Sequence, residues 1–157
     1  MADIVMDGNV KVAWVTTISN TSAPTSSELN AGVDLTSWIT PDGLNITTET
    51  ADVDTTAVNS TQNTYAVGRR TDSASLTFKH QGFAAAPWTT FASNPSGYVV
   101  VRRGIAGSTA WAASQKVLVY PAQAGYRALA PYAANEVEKF SVDFKINGIV
   151  VDSATTA

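Results

Sequence analysis

The sequence contains no cysteine and only one histidine among its 157 residues. Disulfide bonds, thiol nucleophiles and cysteine-based zinc sites are therefore excluded, and a Ser-His-acid triad would have to use His80. The Gly-x-Ser-x-Gly motif of a nucleophile elbow is absent as well. His80 falls on the apolar phase of a strand pattern, next to Lys79 and Gln81. We interpret His80 as a structural or surface residue.

Long apolar runs are also missing. The longest, such as Tyr98-Val99-Val100-Val101, has the length of a strand, whereas a membrane-spanning helix needs about 18 apolar residues. Residues 1–12 carry Asp3, Asp7 and Lys11 and show no secretory signal. We therefore expect a protein that is soluble when made in the cytoplasm and that has no membrane partner.

Charge is scarce, and positive charge is absent from a long stretch. Charged residues make up 15% of the chain, the net charge is −3, and no Lys or Arg lies between Lys11 and Arg69. That stretch holds six carboxylates, which are Glu28, Asp34, Asp42, Glu49, Asp52 and Asp54. One interpretation is that these are solvated loops; the other is that acidic and basic faces of neighbouring copies meet. For the second, the pairs Arg69-Arg70 and Arg102-Arg103 are the candidate inter-subunit cations.

What the chain does contain favours strands. Polar surface must come largely from Thr, Ser, Asn and Gln, of which Thr favours strands and Asn and Ser favour turns. Val10, Val12 and Trp14 alternate with polar or small residues, and the 137–146 segment alternates before an Asn147-Gly148 turn. The segment after Pro87 predicts one short helix. The fold class is therefore mainly β, a sandwich or partial barrel with one short flanking helix and a long loop.

The hydrophobic signal fades over residues 51–72, which we predict to form that long loop within a single domain of residues 1–157. Residues 1–8 are predicted to be an N-terminal arm and residues 150–157 a C-terminal tail. Thr55, Asn59 and Asn63 in the loop are candidate inter-subunit residues.

Two weak signals for chemistry involve paired acids. Asp52 and Asp54, and likewise Glu136 and Glu138, are two residues apart, which on a strand separates them by roughly 7 Å. That separation is compatible with a glycosidase, but no substrate suggests itself. Asp52-x-Asp54-x-Thr56 begins like a calcium loop, yet Ala57 stands where glycine is required. We predict a protein that is not an enzyme and has no cofactor or metal.

Several phrases, taken in order and spacing, are similar to the major tail tube proteins of long-tailed (siphovirus-type) bacteriophages, especially those of actinobacterial hosts. The resemblance covers residues 24 to 150. The phrases that carry it are Pro24 to Thr36 with Glu28-Leu29-Asn30-Ala31-Gly32 and Asp34-Leu35-Thr36, Thr40-Pro41-Asp42-Gly43-Leu44-Asn45, Gly68-Arg69-Arg70, Ser75-Leu76-Thr77-Phe78, Gly97-Tyr98-Val99-Val100-Val101-Arg102-Arg103-Gly104, and Lys116-Val117-Leu118-Val119-Tyr120-Pro121.

The resemblance implies a β-sandwich whose sheets join, in a ring of six copies, into a barrel around a lumen. Rings would stack into a tube in the virion tail, assembled in the host cytoplasm. The implied partners are further copies, the tape-measure protein, the tail terminator and tip proteins, and passing duplex DNA that is not bound specifically. Because a basic lining would hold the phosphates, a polar and mildly acidic lining is expected. The candidate lumen residues are Glu49, Asp52, Asp54 and Asp143.

The alternative is a non-catalytic β-sandwich that binds sugar or protein, as an adhesin or a capsid decoration. Its candidate sugar platforms are Trp14, Trp38, Trp88 and Trp111. Aromatic rings of this size are more often core or interface residues, because they bury a large area.

Overall fold

The computed structural model describes all residues 1–157 as eight strands and two short helices. They are β1 (Val10–Val15), α1 (Ser26–Ala31), β2 (Val33–Asp34), β3 (Ile39–Asp54), β4 (Tyr65–Lys79), α2 (Ala86–Thr90), β5 (Ser96–Arg103), β6 (Lys116–Leu129), β7 (Lys139–Ile146) and β8 (Val151–Thr155). Neither helix is long and apolar enough to cross a membrane.

All strands belong to one antiparallel sheet with the order β2-β1-β5-β6-β7-β4-β3, and β8 pairs with the beginning of β6. The prediction of a mainly β fold is confirmed. The sheet is open in the single subunit, since β3 at one end and β2 at the other do not pair.

The core lies on both faces of β1, β5 and β6. In β1, Val12 and Trp14 join a cluster of 15 buried residues on one face, while Ala13 and Val15 join a cluster of nine on the other. The first cluster is completed by β4, β7 and α2, and the second by α1, β8 and Trp111. Burial on both faces is the reason that β5 contains three consecutive valines, Val99, Val100 and Val101.

Helix α2 anchors the larger cluster through the residue that ends it. The Phe91 ring contacts Trp14, Phe78 and Phe144, with centroid distances of 5.4, 5.7 and 5.3 Å. Pro87 occupies the first turn, as its fixed φ and missing N–H favour. The predicted helix is confirmed, although it is only one turn long.

Helix α1 is a second short helix, in addition to the one predicted after Pro87. Thr25 caps it in a capping box: the Thr25 hydroxyl accepts from the Glu28 N–H, and Glu28 accepts from the Thr25 N–H at 2.9 Å. Glu28 also accepts from the Ser19 hydroxyl and N–H, at 2.6 and 3.0 Å. Hydrogen bonds from Ser19, followed by those from Thr25, lower the pKa of Glu28 to about 2.

The predicted long loop over residues 51–72 is wrong in its bounds. Residues 51–54 end β3 and residues 65–72 begin β4, so that only residues 55–64 connect them. These strand residues are almost all exposed, and they therefore lack the apolar alternation by which a half-buried strand is recognised. The predicted tail over 150–157 likewise contains β8, which pairs with β6 and buries Ala154. Residues 1–8 form no helix or strand and are exposed.

Replacing Phe91 by alanine should lower the free energy of unfolding by about 3–5 kcal/mol, because it removes an aromatic ring that is 1% exposed and touches three others. Urea unfolding followed by tryptophan fluorescence measures the loss. The control is Val67→Ala, at a side chain that is 83% exposed, and its effect should stay within about 0.5 kcal/mol. Equal losses in both variants would contradict the proposed role of Phe91.

The Glu28 carboxylate should make the free energy of unfolding depend on pH in the acid range. Its folded pKa is depressed, so its contribution is full above its ordinary pKa of 4.5 and is lost as the pH falls through about 2. Between these values the urea midpoint of the wild type should fall more steeply than that of Glu28→Gln. Glu49→Gln, at an exposed carboxylate, serves as the control and should follow the wild type. Parallel curves for Glu28→Gln and the wild type would argue against the hydrogen bonds from Ser19 and Thr25 as the cause.

Candidate assembly surfaces

Residues 47–73 form a two-stranded projection, here called the hairpin arm. Strand β4 pairs with β7 only from Ala74 to Lys79, whereas its pairing with β3 continues to Tyr65. Over the arm, both faces are largely exposed and both outer edges lack a partner strand. An isolated hairpin is marginally stable in water, and an unpaired edge is a template for another strand. The arm is therefore a candidate surface for pairing with another chain.

The tip of the arm, residues 55–64, is held in one shape by its own hydrogen bonds. The Thr55 N–H donates to the Thr64 carbonyl at 2.9 Å, and the Thr64 N–H donates to the Thr56 hydroxyl at 2.9 Å. Val58 is fully exposed at the tip, and the predicted interface residues Asn59 and Asn63 are exposed beside it.

The Asp52-x-Asp54-x-Thr56 pattern is explained by the turn into this tip. The Thr56 N–H donates to Asp54 Oδ1 at 2.8 Å, which is the local turn that aspartate favours. Hydrogen bonds from the Thr56 hydroxyl and N–H lower the pKa of Asp54. The aspartate thus shapes the tip.

The four predicted lumen residues divide between the two faces of the sheet. Ala74 and Leu76 of β4 point into the core, so Ser73 and Ser75 point the other way. Asp143 of β7 pairs with Ser75 and shares its face.

On β3, Glu49 pairs with Thr71 and shares that same face. Thr50, Asp52 and Asp54 alternate with Glu49 and lie on the opposite face of the arm. The structure therefore brings Glu49 and Asp143 to one surface and separates them from the other two.

The surface that contains Glu49 and Asp143, here called the polar face, is rich in hydroxyl side chains. Its members on β3, β4 and β7 are Asn45, Thr47, Glu49, Thr71, Ser73, Ser75, Thr77, Lys79, Lys139, Ser141, Asp143 and Lys145. Three lysines accompany the two carboxylates, and Lys139 pairs with Glu136 at 3.1 Å. Seven of the twelve members are uncharged, so the face is polar but has no excess of carboxylates.

Arg70 is engaged within its own subunit. Its Nε lies 2.8 Å from Asp72 Oδ2, and its Nη1 lies 3.2 Å from Asp152 Oδ2 on β8, so that it ties the arm to the body. Burial raises the pKa of Asp72, but hydrogen bonds from Arg70 and Thr48 outweigh this and bring it below its ordinary value. We call these contacts the Arg70 clasp.

The other arginines differ in their availability. Arg102 is 0% exposed, and its guanidinium donates to the carbonyls of Ala106, Thr109 and Ala110 and to Gln115 Oε1 at 2.8–3.0 Å. The interpretation of Arg102 as an inter-subunit residue is therefore wrong; it organises the loop between β5 and β6 inside the subunit. The remaining predicted residues, Arg69 and Arg103, are exposed and make no ion pair.

The histidine that was considered for catalysis has a structural role. The His80 ring is buried among Phe83, Trp88 and Phe140, and its Nδ1 lies 2.6 Å from Glu138 Oε2. Through these contacts His80 holds the loop after β4 against the loop before β7.

The tryptophans that were considered as sugar-binding platforms also contact other residues of their own subunit. Trp14 and Trp111 are buried, Trp38 packs against the larger cluster, and the guanidinium of Arg127 covers the Trp88 ring at 4.1 Å. Trp14 and Trp111 are therefore unavailable for stacking on a sugar, and Arg127 occupies one face of Trp88.

An exposed apolar surface that the sequence analysis missed lies around the 130–138 loop. Leu129, Tyr132 and Val137 are 47%, 95% and 62% exposed and line a depression of about 310 Å³. Phe83, which is 69% exposed, lies 5.0 Å from the His80 ring and so belongs to the same end of the sheet. We call these four residues the end patch. No periodicity marks it, because its residues come from separate loops.

Comparison with known proteins agrees with an assembly protein. Residues 1–157 match the model of the family described as phage tail tube protein. No curated protein sequence matches the chain. A solved chain from the "Cryo-EM structure of the anti-feeding prophage (AFP) baseplate, 6-fold symmetrised" has a similar fold, with a TM-score of 0.57 and 14% identity over 96% of this chain and 97% of that one. Because the family model spans its whole length, this chain belongs to the phage tail tube protein family.

Proposed function

We propose that this tail tube protein assembles into hexameric rings that stack into the conduit for viral DNA. Membership of the family makes the chain a structural component of the virion tail. The observation that carries the finer proposal is the hairpin arm, whose two exposed strands have no partner strand at either outer edge. The number six is supported by the similar chain, which comes from an assembly described as 6-fold symmetrised.

Ring closure would give the open sheet the partners that it lacks. At one end of the sheet lies β3, and at the other β2 pairs with β1 only at Ala13 and Trp14. Joining these ends between neighbouring copies would extend the sheets into one closed barrel. A closed barrel has no free edge, so the aggregation hazard of the single subunit would disappear.

The polar face is the proposed lining of the lumen, with Glu49 and Asp143 as its acidic members. Its Ser, Thr and Asn side chains carry no charge, and one of its three lysines, Lys139, is paired with Glu136. Duplex DNA binds strongly where many cations replace its counterions, so a lining of this kind holds the phosphates weakly and lets the duplex pass. Asp52 and Asp54, on the other face of the arm, then belong to subunit contacts.

The remaining partners follow from a tube with two ends and a filled lumen. We propose that the tape-measure protein occupies the lumen before the DNA, and that terminator and tip proteins cover the ends. Assembly takes place in the host cytoplasm, and the role of the chain is non-catalytic.

Purified protein should form hollow tubes or rings of uniform diameter at high concentration, visible by negative-stain electron microscopy. In a cryo-EM map of those tubes, the carboxylates of Glu49 and Asp143 should face the lumen and that of Asp52 should not. Asp143 on the outer surface would overturn the proposed lining. Monomers at every concentration, also when mixed with disrupted phage tails, would favour the alternative of a binding module.

The arm tip should be dispensable for folding and essential for stacking. Replacing residues 55–64 by Asn-Gly keeps both strands, because this dipeptide favours a two-residue hairpin turn. The variant should keep its β-type circular dichroism and lose tubes, forming at most single rings. A matched control replaces Asn147-Gly148, the turn before β8, by Asp-Gly and should still form tubes. Normal tubes from the shortened arm would show that the tip does not join rings.

A further inference from the structure

We propose that the tip of the hairpin arm of one copy docks on the end patch of the next copy, with Val58 seated in the depression between Leu129, Tyr132 and Val137. This rests on the proposed tube, and it names the receiving surface for the contact between rings.

The tip of the arm and the end patch lie at opposite ends of the same strands. Lys79 at the end of β4 pairs with Lys139 at the start of β7, next to the 130–138 loop. Tyr65 begins β4 at the tip of the arm. Fourteen residue steps of about 3.3 Å separate the two ends, or roughly 45 Å. A second copy displaced along this strand direction therefore brings its tip towards the end patch.

The tip of the arm is uncharged and presents an exposed apolar side chain. No residue from 55 to 64 carries a charge, and Val58 is the large apolar side chain that the tip leaves in water. The tip is already ordered by hydrogen bonds among Thr55, Thr56 and Thr64. Docking therefore costs little conformational entropy, because the bound shape exists before contact.

The end patch is an apolar surface without a cover in the subunit. Three of its side chains, Leu129, Tyr132 and Val137, line one depression and are 47–95% exposed, and contiguous exposed apolar surface marks interaction sites. The depression of about 310 Å³ is large enough for a valine side chain with its flanking backbone. The contact between His80 and Glu138 fixes the two loops that supply the patch.

The other apolar segment of the chain is a poorer occupant. Residues 1–8 expose Ile4 and Val5, but the end of the segment is tied to its own subunit, where the Gly107 N–H donates to the Gly8 carbonyl at 2.7 Å. The segment also carries Asp3 and Asp7, which would approach Glu136 and Glu138 at the rim of the patch. Like charges disfavour that contact, whereas the uncharged tip meets no repulsion.

An interface between two different surfaces of identical copies does not form a closed ring when neighbouring copies are related mainly by a translation. Such head-to-tail contacts repeat without limit and produce open stacks. Lateral closure of the sheets and axial docking of the tip would then be two separate interfaces.

The absence of cysteine makes a clean crosslinking test possible. The variant Val58→Cys with Val137→Cys places single thiols at two exposed positions, so folding should be unchanged. Assembled tubes are treated with a short bis-maleimide and run on a denaturing gel. We expect a ladder of covalent multimers. Controls are each single variant, and Val58→Cys with Ile149→Cys, a residue that is 87% exposed in the turn before β8. The controls should give no ladder.

The outcomes separate the two proposals. A ladder from the 58/137 pair, with none from the controls, supports docking of the tip on the end patch. Tubes without that ladder, or with a ladder only from Val5→Cys with Val137→Cys, overturn this inference and leave the proposed function standing. Failure of the cysteine-free parent to form rings or tubes under any condition removes the proposed function, and this inference with it.

Discussion

The unpaired strand edges of the hairpin arm are the constraint on which the rest of the molecule depends. From Thr47 to Asp54, seven residue pairs connect β3 with β4 alone, and no hydrophobic core packs against either face of these pairs. Stability must therefore come from the body, where β1, β5 and β6 are buried on both sides. The subunit therefore consists of a body with a buried core and a projecting arm, whose free edges another copy would pair in the proposed tube.

The two halves are linked at few points, and the links are polar. The Arg70 clasp joins the arm to β8, and β8 in turn covers the smaller core cluster through Ala154. Exposed ion pairs contribute little to folding, so the clasp matters for the direction of the arm more than for stability. A repeated contact between copies requires a fixed orientation of the arm, because a small angular error at each contact would accumulate along a stack.

The placement of positive charge has a common theme. Arg102 is enclosed by carbonyl groups, Arg70 by Asp72 and Asp152, Arg127 lies on Trp88, and Lys11 lies 3.3 Å from Asp34. Four other cations, Arg69, Lys79, Arg103 and Lys145, make no ion pair, and Lys79 and Lys145 lie on the polar face. In the proposed conduit, each free lysine on the lining would slow the passage of DNA. The weak hold on DNA would therefore rest on the hydroxyl side chains of the polar face and on the carboxylates of Glu49 and Asp143.

What the sequence determined by itself is the part of the fold that buries apolar side chains. The alternation at Val12 and Trp14, the valine run of β5 and the helix after Pro87 all appear where the pattern predicts them, because burial imposes a period that can be counted. Tertiary structure alone decided the rest. The arm was mistaken for a loop since its strands are solvated on both faces, and Arg102 was mistaken for a surface residue since its partners are carbonyls, which every sequence contains. The end patch combines loops far apart in the chain, and only the pairing of β4, β7 and β6 brings them together.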